Sequence, residues 1–164
     1  MIFVTVGTHE QPFNRLIQEV DELKYKGIIE EDVFIQSGYS TYEPTNCRCE
    51  RFISYDEMNQ YIESANIIIT HGGPSTFMNV LTKGKTPIVV PRLEDFQEHI
   101  NNHQLEFSLK VKERNYDIKV VKNISDLEKE ICALKEDNKE KSILKKNNKE
   151  FTVRFKSLIY EMFN

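Results

Sequence analysis

Cysteine is scarce: Cys47, Cys49 and Cys132 form an odd set with no second pair at metal-ligand spacing, so neither a disulfide framework nor a zinc site is indicated. Long apolar runs are missing too. No stretch of the chain approaches the roughly 20 apolar residues a membrane span requires. The first apolar run, MIFVTV, follows no basic region, so no secretory signal is expected. Two glycine-rich phosphate motifs, G-x-G-x-x-G and G-x-x-x-x-G-K-[ST], are absent, which argues against dinucleotide and P-loop chemistry. The G-x-S-x-G elbow of serine hydrolases is absent as well. Basic residues are not interleaved with stacking aromatics, so nucleic acid is not an expected ligand.

What remains is a globular chain of 164 residues, 39% apolar and 29% charged. That is long enough for one domain with a core and too short for two of ordinary size; the cytoplasm is the expected compartment. The net charge of −4 hides an asymmetry. Residues 1–107 hold 8 Lys+Arg against 16 Asp+Glu, and residues 108–164 hold 14 against 10, giving −8 and +4. The basic tail reads as a solvated helix face or as a surface turned to an anionic membrane or acidic partner.

Short apolar runs alternate with helical patterns. Strands are expected at IFVTV (2–6), VFIQSG (33–38), CERFIS (49–54), NIIIT (66–70), TPIVVP (86–91) and DIKVV (117–121). Helices are expected at 12–27, 55–65, 75–84, 94–113 and 125–136, the last with Ser125 and Glu128 at capping-box spacing. A final segment, 139–164, sets Ile143, Leu144, Phe151, Phe155, Leu158, Ile159 and Met162 near one stripe. Continuous rather than alternating strands separated by helices imply an α/β fold: a parallel, doubly wound, Rossmann-like sheet in a single domain.

The stretch THGGPST (70–76) then falls where such sheets bind ligands, beyond the carboxyl end of a strand. Glycines permit close backbone approach, and the helix that follows offers unpaired N–H groups to a phosphate. Ser75 and Thr76 add hydroxyls. Gly7-Thr8-His9-Glu10 is a second loop of the same kind, and two such loops on adjacent strand ends would grip a diphosphate. Gly-Gly also serves as plain turn punctuation.

Three stretches, GTHEQPFNRLI (7–17), THGGPST (70–76) and GKTPIVVPR with EHINNHQLEF (within 84–107), resemble the donor-binding C-terminal domain of family 28 glycosyltransferases over about residues 1–130. Within the family they are most similar to soluble catalytic subunits of two-part UDP-sugar transferases. These include bacterial capsule and exopolysaccharide types and the eukaryotic enzyme that adds GlcNAc to a dolichol-diphosphate sugar. The resemblance implies one half of a GT-B enzyme, with a membrane-attached partner binding a lipid-linked saccharide acceptor. It places the chain at the inner face of the cell membrane through that partner. It implies inverting transfer without metal or other cofactor, and no D-x-D pair is present for one.

It also implies residue roles. Gly7, Thr8, His71, Gly72, Gly73, Ser75 and Thr76 would receive the UDP diphosphate. Asn79 stands where relatives carry a ribose-binding Glu, and an amide accepts hydrogen bonds less strongly than a carboxylate. Glu98 and His99 would meet the donor sugar, with Gln104 beside them; the plain alternative is an exposed helix face. Arg92 would contact the pyrophosphate or form a surface ion pair. His9, with Glu10, is the candidate base for the attacking hydroxyl, since a base works best with a pKa near ambient pH. A phosphate-loop role for His9 and a base from the partner stand beside it. Lys141, Lys145, Lys146 and Lys149 would lie near the lipid surface on a docking helix. Two other functions fit the motifs: a nucleotide-binding module without chemistry, and a stand-alone nucleotide-sugar hydrolase or epimerase using His9 or His71 with Ser75.

Overall fold

The computed structural model describes residues 1–141. Six parallel strands form one sheet: β1 (Ile2–Thr5), β2 (Val33–Gln36), β3 (Arg48–Glu50), β4 (Ile67–His71), β5 (Pro87–Val90) and β6 (Lys119–Val120), in the order β3-β2-β1-β4-β5-β6. Chain direction of travel reverses between β1 and β4, which makes their carboxyl ends the switch point of the sheet.

Both sheet faces are covered, which is why the strands read as unbroken apolar runs. Ile2, Val4, Ile35 and Ile69 pack with Leu16, Ile17 and Val20 of helix α1 (Asn14–Tyr25) and with Leu127, Ile131 and Leu134 of helix α5 (Leu127–Lys141). On the opposite face Phe3, Phe34 and Ile68 meet Ile62 of α2 (Tyr55–Ser64) and Val80 of α3 (Pro74–Thr82). Val89 of β5 and Val111 of α4 (His103–Glu113) close that side against Phe77 and Leu81. β3 alone is exposed along its length, and its Arg48 and Glu50 suit an unpaired edge.

Three expectations need correction. Residues 94–113 are not one helix. A 3₁₀ turn at Glu94–Phe96 ends at Gln97 in the left-handed region (φ 57°), and α4 begins only at His103. The interruption has a cause: the Glu98 carboxylate turns inward, and Asn102 Oδ1 accepts from the Glu94 N–H at 3.0 Å. Ser125 lies inside a 3₁₀ turn (Ile124–Asp126) rather than at the cap of α5. The capping box is at the head of α2, where Ser54 and Glu57 bond reciprocally. α5 also runs through residues 137 and 138, where a break was expected. The apolar stripe and the lysines assigned to docking lie outside the described residues, save Lys141, which ends α5. The irregular loop after Gly38 is pinned by α1: Asp21 accepts from the Tyr42 hydroxyl and the Thr45 and Asn46 N–H groups. No helix among the described residues is long and apolar enough to cross a membrane.

Candidate functional site

Strand register sets a polar row at the carboxyl end of an otherwise apolar sheet, with Thr5 opposite both Gln36 and Thr70. Thr5 Oγ1 donates to Gln36 Oε1 at 2.6 Å, and the Gln36 amide donates to the Gly7 and Arg51 carbonyls. The Thr5 and Gln36 side chains thereby help to shape the loop after β1, while the Thr70 hydroxyl is buried without a partner. Gly7 takes φ 76°, a conformation glycine adopts at little cost.

His71, the last residue of β4, is the centre of the arrangement. The residue is 8% exposed, and burial, then the charge of Arg92, push its pKa down to about 4. It is neutral at pH 7. A Cβ on Gly7 would sit 2.5 Å from His71 Nε2, and one on Gly73 would strike the same atom. Both glycines are thus required by the ring lodged between their loops. Gly72 has a different reason: its Cβ would meet Gln104 Cβ at 2.7 Å. Gln104 Oε1 accepts from the Gly72 N–H and from the Arg92 N–H, each at 3.0 Å, so α4 ties the β4 loop to the β5 loop.

Gly73 caps α3 and Pro74 occupies its first turn, where a missing N–H costs nothing. Ser75 is exposed and Thr76 half-buried at this helix start. Asn79 lies one turn further along, and its amide donates to Asn59 Oδ1 at 2.9 Å.

Arg92 and Glu98 do not lie at the surface. Arg92 is fully buried; it donates to the carbonyls of Val6, Gln11 and Glu98, and stacks over Phe13 at 4.9 Å. Burial lowers its pKa to about 10, which leaves it charged at pH 7. Glu98, 3% exposed, takes a two-pronged ion pair from Arg15, Nε to Oε1 and Nη2 to Oε2, both at 2.8 Å. Its Oε2 also accepts from the Leu93 N–H. The exposed-face reading of Glu98 and the surface-pair reading of Arg92 therefore fail. Both residues bolt the β5–α4 loop to the β1–α1 loop. Arg15, to which the sequence alone assigned no role, completes the bracket by donating to the Pro91 carbonyl at 3.1 Å.

What the bracket holds is a pair of imidazoles. The His9 and His99 rings stack with centroids 4.7 Å apart and planes 24° from parallel. His9 Nε2 donates to Gln11 Oε1 at 2.8 Å, leaving Nδ1 as its basic nitrogen. Burial, and then the adjacent His9, lower the pKa of His99. Glu10 and Thr8 are exposed beside them. Most of the fourteen residues expected at the site thus fall into connected groups: Gly7, His71 and Gly73; Gly72, Gln104, Arg92 and Glu98; His9 and His99; and Ser75, Thr76 and Asn79 on α3.

Among the described residues, two of the cavities compete as the ligand site. The larger, about 620 Å³, lies at the opposite end of the sheet among Ala65, Ile67, Gly84 and Lys85. Its cations are already spent: Lys85 Nζ donates to the carbonyls of Ile62, Glu63 and Ala65, and Lys135 pairs with Glu31. The smaller, about 470 Å³, is lined by Pro74, His99, Gln104 and Phe107, next to the glycine loop. Position at the switch point favours the smaller one. Among the described residues no group of three or more His, Cys, Asp or Glu is placed to hold a metal.

The model of the glycosyltransferase family 28 C-terminal domain matches residues 1–162. Human UDP-N-acetylglucosamine transferase subunit ALG13 is 31% identical over 121 residues, covering 65% of this chain and 10% of the human protein. The chain therefore spans about a tenth of that relative. The crystal structure of the glycotransferase of kitacinnamycin superposes with a TM-score of 0.54 at 14% identity, over 81% of this chain and 34% of that one. That likeness concerns the fold alone.

Proposed function

We propose, for a chain that belongs to the glycosyltransferase family 28 C-terminal domain family, that it is the donor-binding catalytic subunit of a two-part transferase. It takes a UDP-sugar and, with a membrane-attached acceptor-binding subunit, moves the sugar with inversion to a polyprenyl-diphosphate-linked saccharide. Surface polysaccharide assembly of the capsule or exopolysaccharide kind is the setting this reading assigns. The protein would work at the inner face of the membrane through its partner, as a single domain whose segment 139–164 contributes to docking.

One observation carries the reading: loops after β1 and β4 close around His71 with no room for a side chain, beside the open first turn of α3. Backbone amides and hydroxyls gathered there suit a diphosphate. The human relative's description as a UDP-N-acetylglucosamine transferase subunit supports a UDP-sugar donor and a partner.

In this mechanism Thr8, Gly73, Ser75 and Thr76 hold the diphosphate, and the α3 dipole offsets charge that develops on departing UDP. No metal is required in that scheme. Asn79 meets the ribose. His99 faces the donor sugar, while Glu98, Arg92 and Gln104 act by fixing the loop that carries it. His9 Nδ1 takes the proton of the attacking hydroxyl, and Gln11 sets its tautomer. The test is turnover of UDP-sugars by the purified chain with and without its partner in vesicles holding a lipid-linked acceptor, in EDTA. Transfer only with partner and acceptor supports the reading. Donor hydrolysis by the chain alone would favour the stand-alone hydrolase instead.

A further inference from the structure

We propose that binding of the donor places a proton on His99, and that the charged His99 then keeps His9 unprotonated and able to accept the proton of the attacking hydroxyl. The inference rests on the donor reading above and adds how its base is held in working form.

The first observation is where the imidazoles lie. The chain has four histidines, and all of them stand at the carboxyl end of the sheet: His9 after β1, His71 closing β4, His99 after β5 and His103 opening α4. They are not equivalent. His71 is wedged between the glycine loops, and burial holds it neutral at pH 7. His103, its side chain 75% exposed, lies 3.4 Å from Glu106 and is screened by water. His99 is half-buried, stacks on His9, and lines the same cavity as Pro74 at the head of α3. It is the imidazole set both against the candidate base and beside the candidate diphosphate site.

The second observation is charge. Beside the stacked rings lie two cations and one carboxylate that water hardly reaches: Arg15, Arg92 and Glu98. Glu98 is committed to Arg15 and the Leu93 N–H, and Arg92 is held by the carbonyls of Val6, Gln11 and Glu98. One positive charge is therefore left over, next to rings that burial already makes reluctant to protonate. His99 lies below its ordinary pKa through burial, then His9, then Arg92, with Asn101 acting the other way. Of the remaining charges, Glu10, Glu94, Asp95, Glu106 and Lys110 are exposed to water, and the first turn of α3 brings none.

In the protein alone His99 is thus uncharged at pH 7, and a diphosphate supplies the counter-charge it needs. An opposite charge within about 4–6 Å raises an imidazole's pKa by roughly 1–3 pH units, enough to charge His99 near neutral pH. That charge disfavours protonation of the ring stacked on it, so a bound donor and a ready His9 arrive together. In turnover the hydroxyl proton passes to His9 Nδ1 as the new glycosidic bond forms and the bond from sugar to UDP breaks. His9 and His99 each return a proton to solvent as UDP departs.

The test is calorimetric titration of the full chain with UDP-N-acetylglucosamine in buffers of different ionisation enthalpy, which counts the protons taken up per ligand bound. This ligand is fully ionised at neutral pH and brings no proton of its own, unlike UDP, whose terminal phosphate titrates near neutrality. Wild type should take up a large part of one proton at pH 7.5, and its affinity should rise about tenfold from pH 8.5 to pH 6.5. His99→Gln should bind more weakly, with the uptake abolished and the pH dependence flattened, whereas His9→Gln should keep the uptake. On saturation the His99 ring signals in proton NMR should move to their charged positions while those of His9 do not; this reading needs no variant and decides the point if a variant fails to fold. Binding without proton uptake, uptake that survives His99→Gln, or uptake lost in His9→Gln would each overturn the inference and leave the donor reading standing. No binding of UDP-N-acetylglucosamine or UDP-glucose removes the donor reading, and this inference with it.

Discussion

His9 and His99, carried by loops from different strands, stack ring on ring at 4.7 Å. A charge on one imidazole disfavours protonation of a second in contact with it. His99 already lies below its ordinary pKa, first through burial and then through His9. Removing that second cause with His9→Gln should move the His99 midpoint upward, read from imidazole proton shifts by NMR. An unchanged midpoint would mean the rings do not meet in solution.

His71 gives a stability signature. Its pKa falls from 6.5 to about 4 on folding, so between those values the unfolded chain binds more protons than the native one. Stability then rises with pH across the window and is lost as pH falls from about 6.5 toward 4. The size is about 3 kcal/mol at most, taking 1.36 kcal/mol per pH unit. Urea midpoints at pH 7 and pH 4.5 should differ more in wild type than in His71→Gln. Equal pH slopes would contradict the buried neutral ring.

The Arg15–Glu98 pair is nearly dry, with side chains 13% and 4% exposed. Removing one member of such a pair strands the other charge, at a cost of roughly 3 kcal/mol. Arg15→Met and Glu98→Met should each destabilise by about that amount, while the double variant should cost clearly less than their sum. Denaturant unfolding of the four proteins measures it. Additive losses would show that the two groups do not depend on each other.

Much of this was legible in advance, for reasons visible in single residues. Apolar runs such as Ile67–Ile69 marked strands because a sheet covered on both faces tolerates no polar alternation. Gly72-Gly73 after such a run marked the switch-point loop. Other features were hidden because they depend on tertiary partners. Nothing in the sequence around Arg15 announces a buried guanidinium, since its place is set by Glu98 and Pro91 from the distant loop after β5. The same contact explains the misjudged helix at 94–113: a carboxylate drawn into an ion pair overrides helical periodicity. Gln36 did carry a signal, being a polar residue closing an apolar strand, and it proves to tie the Gly7 loop.

The glycines offer a paired comparison. Gly27 takes φ 74° in open space, so Gly27→Ala should cost only the left-handed conformation, about 1 kcal/mol. Gly73 has an ordinary φ, but a Cβ there strikes His71, so Gly73→Ala must displace the ring. Melting curves and UDP titrations should show mild destabilisation with donor binding intact for Gly27→Ala, and lost binding for Gly73→Ala. The same binding loss in both would remove the distinction between strain and contact.

Amide NMR during a UDP titration reads the location of the ligand directly. Signals of Gly7, Thr8, Gly73, Ser75 and Thr76 should shift saturably in EDTA, and Ser75→Ala together with Thr76→Val should weaken the titration while the fold stays intact. Shifts gathered instead around Ala65, Gly84 and Lys85, at the larger cavity, or no shifts at all, would contradict the account.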